Sequence, residues 1–296
     1  MDVAKETIAR LESAETFGYH ADSPSATEPV ALSAIALISA DRHARAATLL
    51  HWLVEHQAED GSLGVNAEQT TPCWPTSWAI VAWALARSTP VADLKFAKAG
   101  QRAVNWLTSV QGELIERTGA TGHDTMIPGW PWVRGTHAWA EPTAIALLAL
   151  RHAGLEDHPR TRQAAALLRD RLLPNGGMNY GNTIVFGQEL RPHVQPTGLC
   201  MLALPAESLP NDRIHKALAY LAKRLPQTQA TASLCYGLLG TAAWNRLPND
   251  SQSWLEVACR RTLDRDPAPY KLALLSLAGR GTACPLLVAS RTMVTP

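Results

Sequence analysis

The sequence predicts an all-α protein, an (α/α)6 toroid in which six outer and six inner helices alternate around a ring. Three observations carry that expectation. Proline-marked phrases recur ahead of nearly uncharged apolar segments, and amphipathic segments rich in Arg, Lys, Asp and Glu lie between them. No run of strand period and useful length interrupts the alternation.

The phrases are Glu28-Pro29-Val30, Trp74-Pro75-Thr76, Glu141-Pro142-Thr143 and Gln195-Pro196-Thr197. Proline at the first helical position forfeits no hydrogen bond and brings a φ already suited to the helix, so each phrase predicts a helix start. The segments behind them, Val30–Ser39, Thr76–Ala86, Thr143–Leu150 and Thr197–Leu204, are apolar on nearly all sides and belong inside a protein. Thr231–Ala243 and Tyr270–Ala278 lack the phrase but keep the composition, which completes six inner helices. Six outer helices are predicted over Val3–Ala14, Asp41–Gln57, Leu94–Gln111, Thr161–Leu173, Asn211–Leu225 and Gln252–Leu263, each with a charged side and a side of Leu, Ala and Trp. Hairpins that each bury one face against a neighbour close into a ring or stack as a short open superhelix; the ring is the expectation. Continuous alternation argues for one domain over residues 1–296. The turns Phe17-Gly18-Tyr19, Asp60-Gly61 and Gly176-Gly177 are expected in outer-to-inner connections at one end of the barrel.

A chain of 296 residues with 46% hydrophobic and 18% charged residues can bury a large core. The formal net charge of +1, with Lys and Arg scattered along outer helices, supplies no footprint for nucleic acid. The polar, amphipathic start is unlike a signal peptide, and the apolar runs fall far short of the roughly 20 residues that cross a bilayer. The five cysteines have no paired spacing, so a cytoplasmic protein with reduced thiols is expected.

A second phrase closes the outer helices. Trp52-Leu53-Val54-Glu55-His56-Gln57 runs on into Asp60-Gly61-Ser62-Leu63-Gly64; Trp106-Leu107-Thr108-Ser109-Val110-Gln111 stands at the matching point of the next unit, and Asn175-Gly176-Gly177-Met178-Asn179-Tyr180-Gly181 keeps a piece of it. With the apolar inner helices, this resembles the QW repeat of squalene-hopene cyclases and the related repeats of protein prenyltransferase β subunits. The resemblance, to the terpenoid cyclase and prenyltransferase toroid superfamily, covers nearly the whole chain. It implies a toroid whose helix ends are tied by glutamine and tryptophan, and a hydrophobic, isoprenoid substrate.

Parallel inner helices bring their N-termini to one mouth, where free N–H groups and helix dipoles favour negative charge. The loop from His123 to Glu141 carries Trp130, Trp132 and Trp139 with Asp124, Arg134 and His137, and Trp74 and Trp78 belong to the neighbouring helix entrance. Aromatic walls over an apolar ring suit a hydrophobic ligand, and indole faces stabilise carbocations. Tryptophans that pack hairpins together, as expected of Trp52 and Trp106, are the alternative. The expected substrate-binding set is Trp74, Trp78, Trp130, Trp132, Trp139, Arg134, Glu28, Gln195 and His193; the expected catalytic set is Glu141 with Asp124 and His137.

In class II terpene cyclases the aspartate-rich acid motif stands directly before a Thr-Ala and an apolar inner helix. Glu141-Pro142-Thr143-Ala144 has that frame, so the resemblance sets Glu141 in the place of the proton donor, with Trp139 and Pro142 where the family has acidic neighbours. Glu28-Pro29 and Gln195-Pro196 hold equivalent positions, so a helix-end contact is the competing role. The zinc set of the prenyltransferases is not matched: Cys73 has Thr71 two residues before it instead of an aspartate, and His137 and His193 complete no set, so no metal and no cofactor is expected. Cys235-Tyr236-Gly237 is one piece of the lanthionine-cyclase zinc pattern without its Cys-His partner. The sequence reading is acid-initiated cyclisation or isomerisation of an isoprenoid. Its alternatives are a non-catalytic isoprenoid binder or partner subunit, and a toroidal glycosidase or lyase using Asp124 and Glu141 as acid and base. A homodimer or partner covering the mouth, and peripheral contact with a membrane, are the associations compatible with it.

Overall fold

The computed structural model describes residues 2–116, 121–204 and 212–288. The outer helices are α1 (Val3–Ser13), α3 (His43–Glu55), α5 (Leu94–Ser109), α7 (Pro159–Arg171), α9 (Asp212–Arg224) and α11 (Ser251–Arg265). The inner helices are α2 (Thr27–Ile38), α4 (Thr76–Ala86), α6 (Ala140–His152), α8 (Val194–Ala203), α10 (Thr231–Ala243) and α12 (Pro269–Gly279). Asn211, expected to open the fifth outer helix, lies outside the described residues. Each inner helix packs on the next, and α12 packs back on α2, so the ring closes and the open superhelix is not formed. Apolar composition explains the layering: every residue of α2 is buried, whereas in amphipathic α5 the buried set is Phe96, Ala99, Ala103, Trp106 and Leu107 on one side. An antiparallel hairpin, β1 (Ile184–Val185) with β2 (Gln188–Glu189), projects from the α7–α8 connection. Among the described residues no helix is long and apolar enough to cross a membrane, and Cys73, Cys200, Cys235, Cys259 and Cys284 are all unpaired thiols.

The helix starts differ from expectation in one respect. Pro29, Pro142 and Pro196 occupy the third position of α2, α6 and α8 rather than the first. The first four N–H groups of a helix have no intrahelical partner, so proline is accepted throughout the first turn. The consequence is functional, because Glu28, Glu141 and Gln195 thereby become second residues of their helices instead of loop residues.

The threonine of the repeated phrase has a structural task that its sequence alone does not disclose. Thr76 Oγ1 accepts from Leu63 N (2.8 Å), Thr143 Oγ1 from Trp130 N (3.0 Å) and Thr197 Oγ1 from Met178 N (2.8 Å), and each hydroxyl also faces the carbonyl of the same loop residue. Each outer-to-inner loop is thus pinned to the helix it leads into. Gln57 ties the end of α3 to α5, its Nε2 donating to Gly61 O and Ala99 O, both at 2.9 Å. The glycine turns fall where expected, in the α1–α2, α3–α4 and α7–α8 connections. Gly61 and Gly176 have positive φ (92° and 104°), and a Cβ on either would strike the backbone of the following outer helix at Arg102 or Lys216.

Helices α8 and α10 make the closest approach in the ring. A Cβ on Gly198 would lie 2.4 Å from Tyr236 O, and one on Gly240 would lie 2.5 Å from Gly198 O, so two glycines allow the backbones to touch. That contact sets the rotation and depth of α10, and with it the position of Tyr236.

Candidate functional site

A cavity of about 250 Å3 opens at the mouth of the ring, lined by Tyr19, Glu28, Trp74, Trp132, Glu141, Ile145, Gln195, Leu199, Tyr236 and Tyr270. All six hairpins contribute to it. The four proline-marked entrances supply Glu28, Trp74, Glu141 and Gln195, and the two inner helices without the phrase supply Tyr236 and Tyr270. Tyr19 comes from the α1–α2 turn and Trp132 from the α5–α6 connection. The rings of Trp74 and Trp132 meet edge to face at 4.9 Å, and those of Tyr19 and Tyr270 tilt together at 5.2 Å. No Lys, Arg or His lines the cavity among the described residues.

Glu28 is held by phenols. Tyr19 Oη donates to its Oε2 at 2.8 Å and Tyr236 Oη to its Oε1 at 3.3 Å, and the side chain is 6% exposed. Burial pushes the Glu28 carboxyl up to about 7, against the lowering effect of the two phenol hydrogen bonds and with the Glu141 charge adding to the rise. Glu141 accepts from Gln195 Nε2 at 3.1 Å; burial raises its carboxyl to about 6, the amide opposing. Burial also holds Tyr19, Tyr236 and Tyr270 far above the ordinary tyrosine range, so they stay protonated and act as donors. Trp78 stands behind this group, fully buried, with its ring stacked on Tyr236 at 6.4 Å. Its Nε1 has no hydrogen-bond partner; the N–H lies near enough to Glu28 to favour the charged carboxylate without reaching bonding geometry.

The arrangement is two buried carboxyls that line one aromatic cavity. Burial raises both carboxyls, Glu28 further than Glu141, inside aromatic walls that attract positive charge.

The remaining sequence candidates lie elsewhere. Trp130 is a packing residue, its Nε1 donating to Leu107 O at 2.9 Å and the Arg160 guanidinium lying 4.0 Å from its ring centre. Arg134 is exposed and rests over Trp106 at 5.6 Å while pairing with Asp60 at 3.8 Å. Trp139 is the residue before α6, and its ring packs on His137 at 4.5 Å. His193 precedes α8 and lies exposed against Tyr180, ring centres 5.1 Å apart. His137 lines a second cavity of about 190 Å3 with His123, Glu113 and Arg171. Burial, seconded by Arg171, lowers His123 to about 4 and keeps it neutral. Asp124 caps its own turn, accepting from Met126 N at 2.9 Å, while its N–H donates to Asp170 at 3.0 Å. The structure therefore brings Glu28, not Asp124, into one cavity with Glu141. Among the described residues no group of three or more His, Cys, Asp and Glu side chains is placed to hold a metal ion.

Sequence reasoning missed Tyr19, Tyr236, Tyr270, Ile145 and Leu199. The available signal was positional. Tyr270 heads an inner helix as Glu28 and Glu141 do, and Tyr19 sits in a turn expected in an outer-to-inner connection.

No family model matches the chain, and no curated protein matches it. Solved structures do. A reducing-end-xylose releasing exo-oligoxylanase superposes with a TM-score of 0.56 at 9% identity, covering 89% of this chain and 83% of that one. The type II terpene cyclase MstE from Scytonema, in complex with geranylgeranyl dihydroxybenzoate, gives a TM-score of 0.47 at 18% identity over 87% of this chain and 79% of that one. The same cyclase with merosterolic acid A gives 0.45 at 18% identity, over 87% and 80%. The chain has the α/α-toroid fold of the exo-oligoxylanase, and at such low identity the likeness extends to the fold alone.

Proposed function

We propose that the protein is a terpene-cyclase-like isomerase that opens an oxygen-activated isoprenoid, with Glu28 as proton donor and Glu141 as base. The observation that carries this reading is the pair of buried carboxyls facing one aromatic cavity without any basic side chain. The proposal moves the donor from Glu141, which fits the family's sequence frame, to Glu28, which holds its proton to higher pH. A carboxyl near 7 gives its proton to oxygen far more readily than to an unactivated alkene. The fitting reacting group is therefore an epoxide. Proton donation to the epoxide oxygen accompanies C–O cleavage, an internal alkene or a hydride shift answers the cation, and loss of a C–H proton to Glu141 gives an isomer of the substrate. At about 30 Å3 per water the cavity has room for roughly eight waters, so it takes the reacting end of a molecule whose tail leaves through the mouth.

A second reading rests on the same pair of carboxyls, since one protonated and one ionised acid also serve glycoside hydrolysis through an oxocarbenium transition state. Incubation with short-chain isoprenoid epoxides and, separately, with xylo-oligosaccharides decides between them. An isomeric product of unchanged mass, lost in both Glu28→Gln and Glu141→Gln, supports the isomerase. Released reducing sugar overturns it in favour of the hydrolase, and retention of the lipid without conversion leaves a binding protein.

A further inference from the structure

We propose that the mouth cavity is a receptor for a small alkylammonium cation, held by Glu28 and Glu141 and by the rings of Trp74, Trp132, Tyr19 and Tyr236. This deepens the proposed function, because it rests on the cavity being built to stabilise positive charge. It extends that idea from a transient cation to a stable one.

Four observations carry it. The walls are aromatic on several sides, with Trp74, Trp132, Tyr19, Tyr236 and Tyr270 all lining the cavity, and aromatic ring faces attract quaternary and tertiary ammonium groups. Two carboxyls share the cavity, and no lysine, arginine or histidine lines it to neutralise them among the described residues. Glu28 is surrounded by three N–H or O–H groups of Tyr19, Tyr236 and fully buried Trp78, the last without a hydrogen-bond partner, all of which favour its charged form. The volume of about 250 Å3 admits a compact cation.

Proton linkage follows from the surroundings of the two acids. Facing them are Tyr19 from the α1–α2 turn, Trp78 from α4, Gln195 from α8, Tyr236 from α10 and Tyr270 from α12, with the Cys235 thiol behind Tyr270. The N-terminal dipoles of the inner helices favour ionised carboxylates at this end. Burial opposes the ionisation of both acids, and the Glu141 charge further opposes that of Glu28. A bound cation tips that balance, so binding expels a proton and strengthens as pH rises through the Glu28 midpoint.

The test uses the full chain with tetraethylammonium and choline, and the neutral tert-butyl isostere of choline as control, by titration calorimetry in buffers of different ionisation enthalpy. Both cations should bind and the isostere should not. Cation affinity should rise about tenfold or more between about pH 5.5 and about pH 8, with release of up to about one proton below pH 7. Glu28→Gln should abolish the proton release and the pH dependence, and Trp132→Ala, at the half-buried rim, should weaken binding about tenfold with the melting curve unchanged. Equal binding of the isostere, absence of binding by both cations, or binding without proton release overturns the proposal. Ammonium binding without turnover of isoprenoid epoxides overturns the proposed function and leaves the receptor standing; turnover without ammonium binding does the reverse.

Discussion

Glu28→Gln should make the protein more stable at alkaline pH, by an amount that follows from the burial of the carboxyl. In the folded state burial keeps Glu28 protonated up to about 7, whereas an unhindered carboxyl releases its proton near 4.5. Between those values the folded chain binds more protons than the unfolded one, so stability falls as pH rises from about 4.5 to about 7 and is level beyond. A carboxyl raised this far corresponds to a loss on the order of 3 kcal/mol across the window. Glutamine has the same shape and keeps one oxygen to accept from Tyr19, with its amide N–H donating to the Tyr236 oxygen, but it cannot titrate. The gap between variant and wild type should therefore widen in the variant's favour by about 3 kcal/mol from pH 4.5 to pH 8, or on the order of 5–10 °C in Tm for a chain of this size. Urea and thermal unfolding of both proteins across this range measure the gap directly. Titrating groups not coupled to Glu28 are common to both proteins and cancel, whereas the part of the gap that comes from the Glu141 charge belongs to the carboxyl pair. Parallel stability curves for variant and wild type would refute the reasoning, because they would mean that Glu28 ionises in the fold as easily as in water. A stabilised yet inactive variant is the signature of a site that trades stability for chemistry.

Three further outcomes are expected. Glu141→Gln should keep the fold and lower turnover by about 10²- to 10⁴-fold, the usual worth of one general acid or base; a variant that melts lower yet turns over normally would make Glu141 a helix-end contact. Thr143→Val should cost on the order of 1–3 kcal/mol by orphaning the buried Trp130 N–H, with a protease cut appearing first in the α5–α6 connection; unchanged melting and proteolysis would remove the threonine clamp from the account. Gly198→Ala should destabilise by about 1–3 kcal/mol through the α8–α10 contact and shift Tyr236 away from Glu28; an unchanged Glu28 titration, followed by isotope-edited infrared spectroscopy, would show that the glycine contact does not place Tyr236.

The alternation of charged and uncharged helical segments, and therefore the toroid, was legible in composition alone, because burial depends on which residues a segment contains before it depends on where they point. The same holds for Glu28, Trp74, Glu141 and Gln195, since repeated hairpins deliver equivalent positions to equivalent places. Helix starts were misjudged by a few residues, because proline is accepted anywhere in the first turn. The long His123–Glu141 loop was not legible. Its tryptophans, histidines and carboxylates form one cluster along the chain, yet in space Trp130 turns into the wall under Arg160, His137 turns to a second cavity and Asp124 folds back on its own turn, while Trp132 reaches the mouth. For Trp130 the direction is fixed by its N–H donating to Thr143 Oγ1, its indole N–H donating to Leu107 O and the Arg160 guanidinium over its ring. Tyr19, Tyr236 and Tyr270 escaped notice for the same reason. The sequence by itself determined the ring and the four proline-marked entrances at its mouth. Only tertiary packing, through the closure of α12 on α2 and the glycine contact of α8 with α10, brought three phenols and a second carboxyl to bear on one cavity, and burial there is what changes their chemistry.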